Sequence, residues 1–332
     1  MLMIINILQK YDLLPQTDVE DYLTDNGNLN LYTLAKQNKQ ALTEVNALID
    51  RHSGDVRRLH QLIYDNNFLP VNCLQWIEKN HQHIYSHNKV HIVDNKPIDR
   101  AMIKHVLKII RWIASISQKS PDIEVWIFLC PFKKELPPIK GKPLGRNEVN
   151  SGVTLLSPKE KWVQVFRREE VLKVLIHELF HYYELEIRDE ADDIQKELGI
   201  DYLLNEAYNE LLTIYCHTLY YSKMHNMDFM ECYKKEIEHS KKMYYKILDY
   251  HGITKWEDMF NGKFKQKTNV FSYYILKYVL MTHHDILHVP DKRDIDKIRN
   301  TIMSIMKNYR IIPGTRTTVG EPSLRMSYHD II

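Results

Sequence analysis

The sequence predicts a mostly helical α+β protein in which one small sheet is backed by many helices. Three observations carry that expectation. Only 10 glycines occur in 332 residues, well under the usual share of roughly 7%. That speaks against a Gly-rich phosphate cradle, a dinucleotide fold or a turn-rich β-sandwich. Runs of β-branched and aromatic residues are confined to the stretch between residues 123 and 166. On either side, apolar positions recur at helical spacing.

The hydrophobic content of 44% is enough for a substantial core. Lys plus Arg is 45 against Asp plus Glu 43, a formal net charge of +2. No bulk field therefore selects a nucleic acid or an anionic membrane as partner. Cys73, Cys130, Cys216 and Cys232 show no C-x-x-C spacing. They read as free thiols in a reducing compartment, not as a zinc knot or a disulfide framework. The opening MLMIINILQKYDLLP has no positive charge before its apolar stretch and no small-residue cleavage site, so it does not read as a secretory signal. No apolar run approaches the roughly 20 residues that span a bilayer. The expected location is cytoplasmic, in a host cell if the chain is viral.

Taken in order, residues 1–88 read as a helical N-terminal region. Leu42, Val45, Leu48 and Ile49, then Leu59, Leu62 and Ile63, mark short amphipathic helices separated by Asn- and Asp-rich turns. Residues 81–97 read as a connector. The stretch after Pro97 predicts a helix to about residue 118. Residues 123–130 predict a buried strand closed by Pro131. A proline-rich excursion follows over 131–147. Residues 152–156 and 162–166, separated by SPKEK, predict an antiparallel pair. Helical patterns fill 168 to about 309, and the stretch from about 310 reads as an irregular, flexible tail. Residues 89–332 are thus expected to form one domain that carries the chemistry.

That chemistry is written in HELFH, residues 177–181, an instance of H-E-x-x-H. A chain of this composition would contain the pattern by chance about 0.06 times, so its context must decide. Residues four apart on a helix share a face, so His177 and His181 can present two imidazoles to one Zn²⁺. Glu178 lies beside them, where a carboxylate can take a proton from zinc-activated water. Apolar residues surround these three on nearly every face, as in a buried central helix. Two histidines and a glutamate there would cost several kcal/mol unless paired or metal-bound.

A catalytic zinc needs a third protein ligand and an open position. The metzincin continuation fails, because positions 184 and 187 hold Glu184 and Ile187. Glu206, separated from His181 by 24 intervening residues and on the next predicted helix, is the candidate third ligand. Glu210, one turn further on the same face, is placed to support a liganding imidazole. HELFH followed by NEAYNE resembles the gluzincin metallopeptidases, with H-E-x-x-H on one helix and N-E-x-x-x-D/E on the next. The resemblance implies a zincin-like catalytic domain with its small sheet packed on the active-site helix. It implies zinc binding by His177, His181 and Glu206, acid/base work by Glu178, and support by Glu210. Many relatives carry Asp where this chain has Glu210. The segments around Asn150–Thr154 and 166–177 are also similar to zinc peptidases of large DNA viruses.

The expected activity is zinc-dependent peptide-bond hydrolysis on a peptide or protein substrate. An oxyanion donor opposite the base is expected from Tyr273 or Tyr274, with His283 and His284 competing. Residues Gly152, Val153 and Thr154 are the candidate substrate-binding edge, onto which an extended peptide would add as a strand. A silent zincin used as a binding module, or a zinc hydrolase of a non-peptide substrate, are the alternatives. Other features read as structural. His217 would lie about 16 Å further along the Glu206 helix, a packing or surface position. The histidines 81, 83, 87 and 91 read as a solvated connector, and the acids at 189, 190, 192 and 193 as a solvated turn lacking the pattern of a Ca²⁺ loop.

Overall fold

A computed structural model describes residues 7–13, 34–50, 55–64, 66–80, 84–158, 160–187, 203–283, 300–301, 304–305, 308–309 and 322–331. Strands β1 (Ile84–His87), β2 (Val90–Val93), β3 (Glu124–Phe128), β4 (Gly152–Leu156) and β5 (Lys161–Val165) form one mixed sheet in the order β1-β2-β3-β5-β4. The central pairs β2–β3 and β3–β5 are parallel, and the outer pairs β1–β2 and β5–β4 antiparallel. The strand over 123–130 and the 152–166 pair thus form where their β-branched residues place them. Residues 81–97 depart from expectation: they supply β1 and β2, joined by a tight turn in which Asn88 takes a left-handed φ of 54°. The pattern is hard to read because β1 is an edge strand whose polar residues face solvent.

Side-chain alternation sends the two sheet faces to two cores. Trp126, Phe128, Trp162 and Phe166 pack with Leu59, Leu62, Ile63, Cys73 and Ile77. These last belong to α2 (Asp55–Tyr64) and α3 (Val71–Asn80), which follow α1 (Lys39–Asp50). Two polar links fix this layer. Arg58 makes a two-pronged contact with Glu124 (2.9 and 3.1 Å), and Asn66 Nδ2 donates to Gln164 Oε1 at 2.7 Å inside the core. The N-terminal helices are therefore a layer of the same sheet, and a boundary at 88/89 falls within the β1–β2 turn.

The other face holds the larger core. Val125, Ile127, Val163 and Val165 pack there with α4 (Arg100–Ser117) and the helices that follow the short turn α5 (Arg146–Val149): α6 (Val171–Tyr182), α7 (Leu204–His225) and α8 (Phe229–Tyr250). Asp99 caps α4 by accepting the Ala101 N–H at 2.8 Å. A π-helical turn over Phe271–Leu276 leads into α9 (Lys277–Met281). Helix α6 is buried from Val171 through Phe180, as its all-round apolar pattern requires. No helix among the described residues is long and apolar enough to cross a membrane.

Residues 310–321 of the expected flexible tail lie outside the described residues, and the described part corrects the expectation. Residues 322–331 are irregular, but Leu324, Met326, Ser327 and His329 are buried. Glu170, at the start of α6, accepts the backbone N–H groups of Met326 and Ser327 and pairs with Lys134. Glu236 on α8 accepts those of Tyr328 and His329 at 2.7 and 3.0 Å. Backbone-to-carboxylate bonds of this kind leave no periodic signature in the sequence. Of the four cysteines, all free, Cys73, Cys130 and Cys232 are buried.

Two buried histidines set an acid limit on stability. Burial pushes His251 down to about 4 and His217 down to about 3. Both are neutral when folded and take up a proton near pH 6.5 when unfolded. Their contribution is complete above about pH 6.5 and is lost as pH falls toward the folded values. His251→Phe, filling the same space beside Phe264, should recover on the order of 3 kcal/mol of the acid-induced loss. Urea unfolding at several pH values between 7 and 4 measures it; equal pH slopes for both proteins would refute it.

Candidate metal centre

Helix α6 presents His177 and His181 one turn apart, and α7 brings Glu206 to meet them. The distance from His177 Nε2 to His181 Nε2 is 3.1 Å. Glu206 Oε2 lies 3.3 Å from the first and 3.5 Å from the second. Ligand atoms about 2.0–2.1 Å from a tetrahedral zinc are separated from one another by about 3.3 Å. The triangle fits that size, and these three residues form a group that could hold a metal ion. Although burial works against it, the two imidazoles hold the Glu206 carboxyl well below the ordinary range. An ionised carboxylate is the form a cation requires.

Each imidazole has a carboxylate close behind it. His177 Nδ1 lies 3.0 Å from Glu210 Oε2, and His181 Nδ1 lies 2.6 Å from Glu186 Oε2. Such carboxylates fix the ring orientation and leave Nε2 to face a metal. Against the cost of burial, Lys173 and His177 hold Glu210 down to about 2. Lys173, itself buried on α6, pairs with the other Glu210 oxygen. Asn209 Nδ2 donates to the His177 carbonyl at 3.3 Å and sits 3.0 Å from His181 Nε2.

Glu178 points from α6 toward β4. Thr154 Oγ1 lies 2.8 Å from Glu178 Oε2 and 2.9 Å from the Glu178 carbonyl oxygen, within donating reach of both. Gly152 faces the same carboxylate so closely that a Cβ there would stand 2.4 Å from Glu178 Oε1. Burial pushes the Glu178 carboxyl up, against the pull of both imidazoles and Thr154. A raised carboxyl is better matched to proton transfer near neutral pH than an ordinary one.

The three candidate ligand residues, Glu178, Tyr273 and the start of β4 all line one cleft of about 310 Å³. Among the described residues, β4 is an edge strand. Phe166 N–H donates to Ser151 O at 2.8 Å, and Ser157 N–H to Glu160 O at 3.0 Å. This ladder phase pairs Val153 and Leu155 with β5 and turns the backbone groups of Gly152, Thr154 and Leu156 outward.

The two candidate tyrosines separate. Tyr273 Oη donates to Glu206 Oε2 at 3.1 Å, at the cleft wall. Tyr274 is fully buried and donates to the Leu324 carbonyl at 2.6 Å, which removes it from the expected site. Adjacent residues of a helical turn face different directions, and only one can reach the cleft. The His283 ring meets the Val279 carbonyl at 2.9 Å, within its own helix end. His217 is buried core. His91 stacks on Trp126. Residues 81, 83, 189, 190, 192, 193 and 284 lie outside the described residues.

Glu186, Asn209 and Lys173 were not legible as site residues. Asn209 and Lys173 sit inside helices where a polar residue has many ordinary uses, and Glu186 lies past the end of α6. The structure buries both Lys173 and Asn209, and such side chains are seldom fully buried unless paired. Comparison of the chain with family models, curated proteins and solved structures finds no match.

Ion binding should stabilise the fold. At a thousandfold excess over its dissociation constant, Zn²⁺ is expected to add about 4 kcal/mol, visible as a raised melting temperature that a chelator reverses. Glu206→Ala should lose most of that shift. An equal zinc shift in both proteins would remove Glu206 from the ligand set.

Proposed function

We propose that this chain is a zincin-type, zinc-dependent peptidase whose ion is held by His177, His181 and Glu206. The observation that carries the reading is the convergence of that triangle and the Glu178 carboxylate on one cleft bordered by β4, an edge strand among the described residues. A bound Zn²⁺ supplies Lewis-acid polarisation of a carbonyl and activation of water.

The protein's own groups do the rest. The outward backbone N–H and C=O groups of Gly152, Thr154 and Leu156 hold an extended peptide beside the cleft. Glu178 takes the proton of the attacking water at a carboxylate oxygen and delivers it to the departing amide nitrogen as the C–N bond breaks. Thr154 and the clearance at Gly152 fix where that carboxylate sits. The Tyr273 hydroxyl, at the cleft wall, serves as donor to the oxygen that gains negative charge. Glu210 and Glu186 keep both imidazoles in one orientation.

The test is metal analysis of the purified chain followed by digestion of an unfolded protein. Chelator-sensitive cleavage restored by Zn²⁺ is the expected result. Bound zinc without cleavage of any peptide would replace this reading with a binding module.

A further inference from the structure

The free edge of β4 runs between two cavities. One is the metal cleft, on the α6 side of the sheet. The other, about 460 Å³, lies on the opposite face, between the β4–β5 pair and the N-terminal layer. Phe68, Val153 and Thr154 border both. The walls of the second cavity are mixed: Leu62, Val153, Leu155 and the Trp162 ring supply apolar surface, with Gln61, Asn67 and Glu160 beside them. Two solvent-shielded polar atoms on its lining residues, Trp162 Nε1 and Asn67 Oδ1, have no hydrogen-bond partner among the described residues. Trp162 is only 4% exposed. Its N–H is a donor without an acceptor, which a folded chain seldom leaves unsatisfied without cause. The charges at the rim are already committed, since Arg58 pairs with Glu124 and with Glu160.

Successive side chains of a strand point to opposite faces. A peptide that adds to the outward groups of β4 therefore sends one set of side chains toward the metal cleft and the alternate set toward this second cavity. We propose that the second cavity is a side-chain pocket for that same peptide, contributed by the N-terminal helical layer. It selects a bulky, uncharged residue with an apolar body and a polar tip. Tyrosine fits best: its ring meets the apolar part of the lining, and its hydroxyl can both donate to and accept from the polar side chains, such as Asn67 and Glu160, that share it. The proposal rests on the peptidase reading and extends it to substrate preference.

Gln61, on α2, lines the second cavity and not the metal cleft, so Gln61→Trp can fill the pocket from the N-terminal side and Gln61→Ala can leave it open. The zinc-loaded full chain is incubated with a proteome-derived peptide library, and the cleaved sequences are aligned on the broken bond. Tyrosine and other bulky residues should be enriched at a position that faces the second cavity, with kcat/KM about tenfold or more above alanine there. Gln61→Trp should erase that enrichment while peptides with alanine at the position are cut as before, and Gln61→Ala should retain it. A preference that survives Gln61→Trp, or none at any such position, overturns the proposal. If no peptide is cleaved, the peptidase reading fails separately. Fluorescence anisotropy then compares short alanine-rich peptides with and without a scanned tyrosine on the zinc-loaded chain. Tighter binding of a tyrosine form that Gln61→Trp abolishes upholds the pocket, and equal binding rejects it.

Discussion

Glu178→Gln is expected to lower peptide turnover by about 10²–10⁴-fold while leaving the zinc content of the protein unchanged. The substitution keeps the size of the side chain and removes its ability to accept a proton. Its neighbours support a selective effect: Glu178 Oε2 lies within reach of the Thr154 hydroxyl, and an amide oxygen can accept there equally well. Neither imidazole of the candidate metal group depends on Glu178 for its surroundings, since Glu210 and Glu186 lie beside the far ring nitrogens. Parallel measurement of kcat/KM and bound metal decides the matter. Retained turnover would take the proton from Glu178 and give it to another group, and simultaneous loss of zinc would make the residue structural.

Gly152→Ala is expected to reduce turnover by a comparable factor, although it removes no functional group. The added methyl would stand 2.4 Å from Glu178 Oε1, 2.8 Å from its Cγ and 2.9 Å from its Cδ. Contact of the whole carboxyl group, not only its tip, forces either β4 or the Glu178 side chain to move. A shift of about 1 Å in a catalytic group can cost on the order of 10²-fold in rate. Because Gly152 sits at the start of an edge strand, the fold should accommodate the change. The expected signature is an unchanged zinc-induced shift in melting temperature with turnover close to that of Glu178→Gln. Full activity in Gly152→Ala would show that Glu178 does not work from the position described.

The two predictions differ in where their information lies. Glu178 is legible in sequence because two of its neighbours form a local pattern: His177 and His181 at helical spacing, on a helix too apolar to carry unpaired polar groups. Glu206 and Glu210 are legible for the same reason, two acids one turn apart on the next helix. Gly152 was legible as part of an edge strand, but not as the residue that makes room for Glu178. Nothing in residues 150–154 specifies which face of β4 will meet which turn of α6.

The same division runs through the fold. Residues 124–128, 152–156 and 161–165 carry enough β-branched and aromatic residues to be read as strands. β1 and β2 were obscured, because an edge strand with a polar outer face resembles a connector. Tyr273 and Tyr274 could not be separated by sequence, since two neighbours on a helix differ only in what packs around them. One reaches Glu206 and the other Leu324. The C-terminal residues looked free because their contacts are backbone bonds to Glu170 and Glu236, acids 156 and 93 positions away.

By itself, the sequence picked out His177, Glu178 and His181 as a candidate metal and base group, because helical periodicity places residues four apart on one face whatever surrounds them, and it offered Glu206 on the next helix as their partner. Tertiary structure decided what orients and bounds that set: Glu186 behind His181, Gly152 and Thr154 against Glu178, and the N-terminal helices behind the free edge of β4. Those contacts join segments far apart in the chain. They depend on how helices and strands stack to bury their apolar faces, and no local spacing encodes that.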